Sequence, residues 1–216
     1  MTHDSELQKA VLAELDWEPS VTAAHIGVTA KAGVVTLTGH VESYVEKYAA
    51  ETAARRVKGA KAVAEELEVR LPSDIERDDG DIAAAAVDRL AWDVSVPKDS
   101  VKIKVEQGMI TLTGDVDWHY QKEAAERDVM GLYGVVDVSN MIAIKPQVNV
   151  VNLSNDITKA LHRAWFDQKT IHVNADGGKV HLTGTVHSWH DRNEAESTSW
   201  AAPGASNVQN DITVAA

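Results

Sequence analysis

One segment occurs three times in this chain of 216 residues: Gly33-Val34-Val35-Thr36-Leu37-Thr38-Gly39-His40-Val41, then Gly108-Met109-Ile110-Thr111-Leu112-Thr113-Gly114-Asp115-Val116, then Gly178-Lys179-Val180-His181-Leu182-Thr183-Gly184-Thr185-Val186. A further glycine follows each copy at one distance. Gly39 to Gly59, Gly114 to Gly134 and Gly184 to Gly204 each span 20 residues. An internal period of this kind constrains architecture before any other signal. It predicts three units, at residues 1–72, 73–147 and 148–216. A unit of about 70 residues buries only roughly 60% of its unfolded surface, so some packing between units is expected.

Each unit reads as helix–strand–strand–helix–strand, an α+β fold. The first helices are expected near residues 5–17, 81–92 and 155–166. Leu7, Val11, Leu12 and Leu15, then Ile82, Val87 and Leu90, then Ile157, Leu161 and Trp165 recur at helical spacing. Trp17, Trp92 and Trp165 at these helices are expected in the core. Alternation in Ile26, Val28 and Ala30 and their counterparts predicts strands with one buried face. In the repeated strands, Val35 and Leu37, Ile110 and Leu112, and Val180 and Leu182 are the inward residues. Short turns make each strand pair an antiparallel hairpin.

A longer helix follows in each unit. Ser43 with Glu46 forms a capping box at its start, and Ser188 with Asp191 a weaker one. Gly59, Gly134 and Gly204 are expected to stop these helices in the left-handed conformation. Final strands are expected at 62–69, 135–144 and 207–214. Right-handed crossovers then place both helices on one face of a small three-stranded mixed sheet. Linkers begin at Leu71-Pro72-Ser73-Asp74, continuing through Asp78-Asp79-Gly80-Asp81, and at Lys145-Pro146-Gln147.

The Gly-x-x-x-Leu-Thr-Gly-x-Val segment, the Ala-Glu helix after it and the second glycine resemble the BON domain, named for bacterial OsmY and nodulation proteins. The resemblance covers nearly the whole chain in three copies. It implies the same helix–strand–strand–helix–strand unit. For function it implies association with osmotic and envelope stress, and binding of phospholipid surfaces or partner proteins. One relative binds potassium. A periplasmic relative has two copies and a signal sequence; three copies and no signal sequence are expected here, so a periplasmic role is not expected to carry over.

Function is expected where the copies differ. Five of the nine histidines lie in the third unit: His162, His172, His181, His187 and His190. If Asn174 to Lys179 closes the hairpin, His172 and His181 stand opposite each other, where two imidazoles could share zinc or copper. The competing reading is solvated surface histidines. Tyr44, Trp118, His119 and Trp189 gather where the repeated strand enters the long helix. They suit a membrane interface or a protein partner, or else pack over the helix start. The six repeat glycines, Gly39, Gly59, Gly114, Gly134, Gly184 and Gly204, read as structural. No Gly-x-Gly-x-x-Gly or Walker pattern surrounds them. Arg55, Arg56, Lys58 and Lys61 read as a solvated helix face.

The net charge of 21 − 33 = −12 sets the protein against nucleic acid and anionic lipid. With no cysteine, disulfides and thiolate chemistry are excluded. No recognisable nucleophile or metalloprotease motif is present, so no catalysis and no cofactor are expected. The polar, acidic start of the sequence leads to an expectation of a cytoplasmic protein. The leading functional expectation is a non-enzymatic stress protein that binds a protein partner or phospholipid surface. A cation sensor or buffer for potassium, calcium or a transition metal is the rival, and a holdase-like chaperone a third reading. The oligomeric state is left open.

Overall fold

The computed structural model describes residues 3–72, 77–145, 152–163 and 170–215. Its described elements repeat one order three times. The first repeat has α1 (His3–Trp17), a single 3-10 turn (Ala23–His25), β1 (Ile26–Lys31), β2 (Val34–Val41), α2 (Tyr44–Arg56) and β3 (Ala62–Val69). The second has α3 (Asp79–Trp92), β4 (Val101–Glu106), β5 (Met109–Val116), α4 (His119–Met130) and β6 (Asp137–Ile144). The third has α5 (Leu153–Arg163), β7 (Ile171–Asp176), β8 (Lys179–Val186), α6 (Trp189–Trp200) and β9 (Asn207–Val214). Trp165 and Phe166, expected in the third helix, and Ser73, Asp74, Pro146 and Gln147 of the linkers lie outside the described residues.

Each repeat forms its own three-stranded sheet, in the orders β1-β2-β3, β4-β5-β6 and β7-β8-β9. The repeated segment is always the central strand. In the first and third sheets it pairs antiparallel with the strand before it and parallel with the strand after the helix. The backbone packs as two compact units. One is Met1–Leu90 with Ile103–Thr111 and Arg127–Ser139; the other is Ala91–Lys102 with Leu112–Glu126 and Asn140–Ala216.

The central strands carry the cores. Val35, Leu37, Ile110, Leu112 and Leu182 are fully buried, and Val180 nearly so. In the first repeat α1 presents Leu7, Val11 and Leu15 to this layer, and α2 presents Ala50, Ala53 and Ala54. Small residues in α2 let its backbone approach the sheet. Each buried Leu or Val side chain contributes about 1.5–3 kcal/mol by leaving water. In α3 the inward residue is Ala86, and Val87 is exposed. The helical spacing runs Ile82, Ala86, Leu90, so the larger neighbour at 87 falls on the outer side.

A larger correction concerns the tryptophans that close the first helices. Trp17 is 81% exposed and Trp92 is 86% exposed, so neither is a core residue. Leu15 and Leu90 already occupy the last inward position of their helices. One hundred degrees per residue carries a position two further on to the outside.

The hairpins close with two residues, Ala32-Gly33, Gln107-Gly108 and Gly177-Gly178. All six have positive φ, between 52° and 87°, the arrangement of a type I′ turn. Acidic residues at the first helices secure two of these turns. Asp4 Oδ1 accepts from the Ala32 amide at 2.9 Å, and Asp79 accepts from the Gln107 and Gly108 amides at 2.8 and 2.9 Å. Asp78 in turn accepts from the Asp81 amide at 2.8 Å, so these linker acids cap backbone donors. Ala32 is a poor choice for φ 53° because its Cβ crowds the backbone there. Ala32→Asn should therefore stabilise the first repeat by about 0.5–1 kcal/mol, read as a raised denaturation midpoint with unchanged slope.

The repeat glycines divide into two roles. Gly39 has φ 121°, and a Cβ there would sit 2.1 Å from the His25 carbonyl oxygen. Gly114 and Gly184 meet the Ser100 and Thr170 oxygens at 2.0 Å in the same way. The second glycines do not stop the helices, contrary to expectation. Helices α2, α4 and α6 end at Arg56, Met130 and Trp200, before Gly59, Gly134 and Gly204. The glycine is the third residue of a turn closed by Ala60 N to Val57 O at 3.1 Å, with Val135 to Leu132 and Ala205 to Ala202 as counterparts. Its φ of 93° to 99° suits a type II turn. That turn delivers the Lys61 amide to the Gly33 carbonyl at 2.7 Å, which starts the parallel pairing.

Candidate contact surface

Tyr44, His119 and Trp189 open the second helix of each repeat, and Trp118 stands just before α4. Ser43 Oγ accepts from the Glu46 amide at 3.2 Å, and Ser188 Oγ from the Asp191 amide at 3.0 Å, which is the serine half of each expected capping pair. The Glu46 carboxylate accepts from Thr22 N at 2.7 Å and Glu42 N at 2.9 Å. In the second repeat Trp118 stands where the serines stand and offers no acceptor. Gln121 Oε1 instead accepts from the Asp117 and Trp118 amides, both at 3.0 Å.

Tyr44, His119 and Trp189 occupy one repeat position, five residues after Gly39, Gly114 and Gly184. Tyr44, Trp118 and Trp189 are half-buried. The Arg192 guanidinium lies over the Trp189 ring, 5.5 Å from its centroid. Arg192 is itself anchored, donating to the Ile212 and Asn210 carbonyls at 3.1 and 2.6 Å. His119 stacks on Trp200, with centroids 3.9 Å apart and planes 15° from parallel. Trp189 and His119, which share one repeat position, thus meet different partners, a guanidinium and an indole.

The histidine pair needs a correction of register. The turn is Gly177-Gly178, so Asn174 faces His181 and His172 faces Thr183. His172 and His181 are diagonal neighbours, a spacing of about 7–8 Å rather than direct opposition. His181 Nε2 meets Asp211 Oδ2 at 2.7 Å, and Gln209 donates to the same oxygen at 2.8 Å. The His181 contact, with Gln209 adding to it, holds the Asp211 carboxyl below its ordinary range. Among the described residues no group of three or more His, Cys, Asp or Glu side chains is placed to hold a metal ion.

Sequence reasoning passed over one polar feature. Asn140 and Asn210, each six residues after a second glycine, clamp the last strand to the helix. Asn210 Nδ2 donates to Arg192 O at 3.1 Å and Glu196 Oε2 at 2.9 Å, while its oxygen accepts from Ile212 N at 3.2 Å. Asn140 makes the same three contacts with Lys122, Glu126 and Ile142. The first repeat has Glu65 there, ion-paired with Lys47 at 3.0 Å. The recurring Asn at a fixed offset was the available signal. In the basic run, whose four residues are exposed, Arg55 pairs with Glu51, and Arg56 with Glu14 and Glu18.

The family model for the BON domain matches residues 3–70, 78–146 and 149–216. The chain belongs to the BON domain family. It is 31% identical over 146 residues to the osmotically-inducible protein Y of Escherichia coli (strain K12), covering 66% of this chain and 73% of that protein. Among solved structures it is similar to the C-terminal domain of CdsD, a structural protein of the type III secretion system of Chlamydia trachomatis. That match has 14% identity, full coverage of both chains and a TM-score of 0.28. The PrgH periplasmic domain matches at 11% identity and a TM-score of 0.22, over 89% of this chain and 96% of that one. No described helix of the three-BON chain is long and apolar enough to cross a membrane.

Proposed function

We propose that this protein is a non-enzymatic, osmotic-stress-associated binding protein that holds a protein partner through tryptophans displayed by its BON repeats. The observation that carries this reading is the exposure of Trp17 and Trp92, at 81% and 86%, at equivalent helix ends. A tryptophan left in water forgoes about 1.5–3 kcal/mol or more of burial free energy, and tryptophan is the residue most enriched among interface anchors. The name of the Escherichia coli relative, which records osmotic induction, supports the stress association.

The flanking charges favour a protein over a lipid surface. Glu14, Asp16 and Glu18 surround Trp17 in sequence against one cation, Arg56, and Asp88 and Asp93 outnumber Arg89 around Trp92. Anionic headgroups would be repelled there, whereas a partner with basic residues around an apolar pocket would be steered in. The test compares the native chain with a Trp17→Ala, Trp92→Ala double variant. Both are used in pull-downs from osmotically stressed lysate and in co-sedimentation with vesicles of mixed zwitterionic and anionic lipid. The expected result is a set of proteins held by the native chain and lost by the variant, with unchanged melting. Equal capture by both chains overturns the reading, as does tryptophan-dependent binding to vesicles alone.

A further inference from the structure

His119 opens α4 in the second repeat and Trp200 closes α6 in the third, yet their rings stack at 3.9 Å within one compact unit. The pairing is particular to these copies. The His119 position holds Tyr44 and Trp189 elsewhere, and the Trp200 position, four residues before the second glycine, holds Arg55 and Met130. The contact is therefore no part of the repeat's own pattern, and it links residues of two different copies. We propose that the His119–Trp200 stack is a pH-operated clasp that joins the second and third repeats near neutral pH and loosens in acid.

The imidazole is suited to this. Its side chain is 20% exposed, with Nδ1 3.6 Å from Glu123 Oε2. The groups acting on it are Glu123, Lys122 and Glu126 from α4 and Glu196 from α6. The carboxylates favour the charged ring and Lys122 opposes it, but burial is the largest influence and holds His119 below its ordinary value of 6.5. The sign follows from linkage. As pH falls, the ring exposed by opening takes up its proton before the stacked ring does. The closed clasp is therefore fully favoured above about pH 6.5 and loses ground below it.

Histidine ring titration by NMR, with hydrogen exchange at the start of α4 and the end of α6, tests this in the full chain. His119 should titrate below 6.5 in the native protein, and protection at both helix ends should fall between about pH 7.5 and about pH 5 after correction for intrinsic exchange. His119→Phe keeps a ring at a position where Tyr44 and Trp189 already stand, so its protection should not change with pH. Trp200→Ala should lack that protection at both pH values. A His119 titration at or above 6.5 would overturn the clasp. So would an equal acid loss of protection in the native chain and the His119→Phe variant.

Discussion

Replacing Gly39 by alanine is expected to unfold the first repeat, at a cost of about 4 kcal/mol or more. The new Cβ would lie 2.1 Å from the His25 carbonyl oxygen and 3.2 Å from its carbon. Both are backbone atoms at the entry to β1, so no rotamer can yield. The φ of 121° adds strain, because it lies where L side chains rarely go. Relief requires β1 to separate from β2, which would uncover Ile26 and Val28. A unit of about 70 residues has only a few kcal/mol in hand.

The matched control is Gly59→Ala. There the nearest heavy atom to a new Cβ is Leu7 Cδ1 at 3.7 Å, an ordinary contact. Only the left-handed φ is penalised, at about 1–2 kcal/mol. Chemical denaturation of the two full-length variants decides the matter. Gly39→Ala should remove one repeat from the cooperative transition, while Gly59→Ala shifts it modestly. Equal losses would mean that the close approach at Gly39 is not what its place in the repeat requires.

The contrast between these glycines marks how far the residues alone could be read. Period, hydrophobic alternation and capping chemistry are local, and they gave the elements and the inward faces of all three central strands. Both helices of a repeat lie on one sheet face because a right-handed crossover permits little else. What stayed hidden depended on geometry finer than a residue. The hairpin contained several candidate turn residues in Asn174–Lys179, and choosing the wrong pair moved His181 from opposite Asn174 to opposite His172. Trp17 looked like core by its chemistry, but Leu15 already filled the last inward position. The His119–Trp200 contact joins positions in different repeats, and no pattern within one copy announces it. Asn210 reads as an ordinary polar strand residue until its three partners on α6 and β9 are seen.

Glu46→Ala is expected to cost about 2–3 kcal/mol, the loss of two charge-assisted hydrogen bonds at a largely buried site. The residue is 7% exposed, and its two oxygens serve different elements. Oε1 takes the Thr22 amide from the loop before the 3-10 turn, and Oε2 takes the Glu42 amide at the entry to α2. It therefore ties the α1-to-β1 loop to the helix start, beyond what a local cap does. Glu46→Gln should cost about 1 kcal/mol, because the amide keeps one acceptor and turns an N–H toward the other donor. The second repeat supplies the physical reason. The position matching Thr22 is Pro97, which has no N–H to offer. A single acceptor oxygen is then enough, and Gln121 Oε1 receives both the Asp117 and Trp118 amides. Denaturation midpoints should fall in the order native, Glu46→Gln, Glu46→Ala. The reciprocal change, Gln121→Glu, should bring no gain in stability, since Pro97 has no N–H for a second oxygen to accept. If Glu46→Gln were as damaging as Glu46→Ala, charge rather than acceptor count would govern the site. The pairing of acid with Thr22 and amide with Pro97 would then be coincidence.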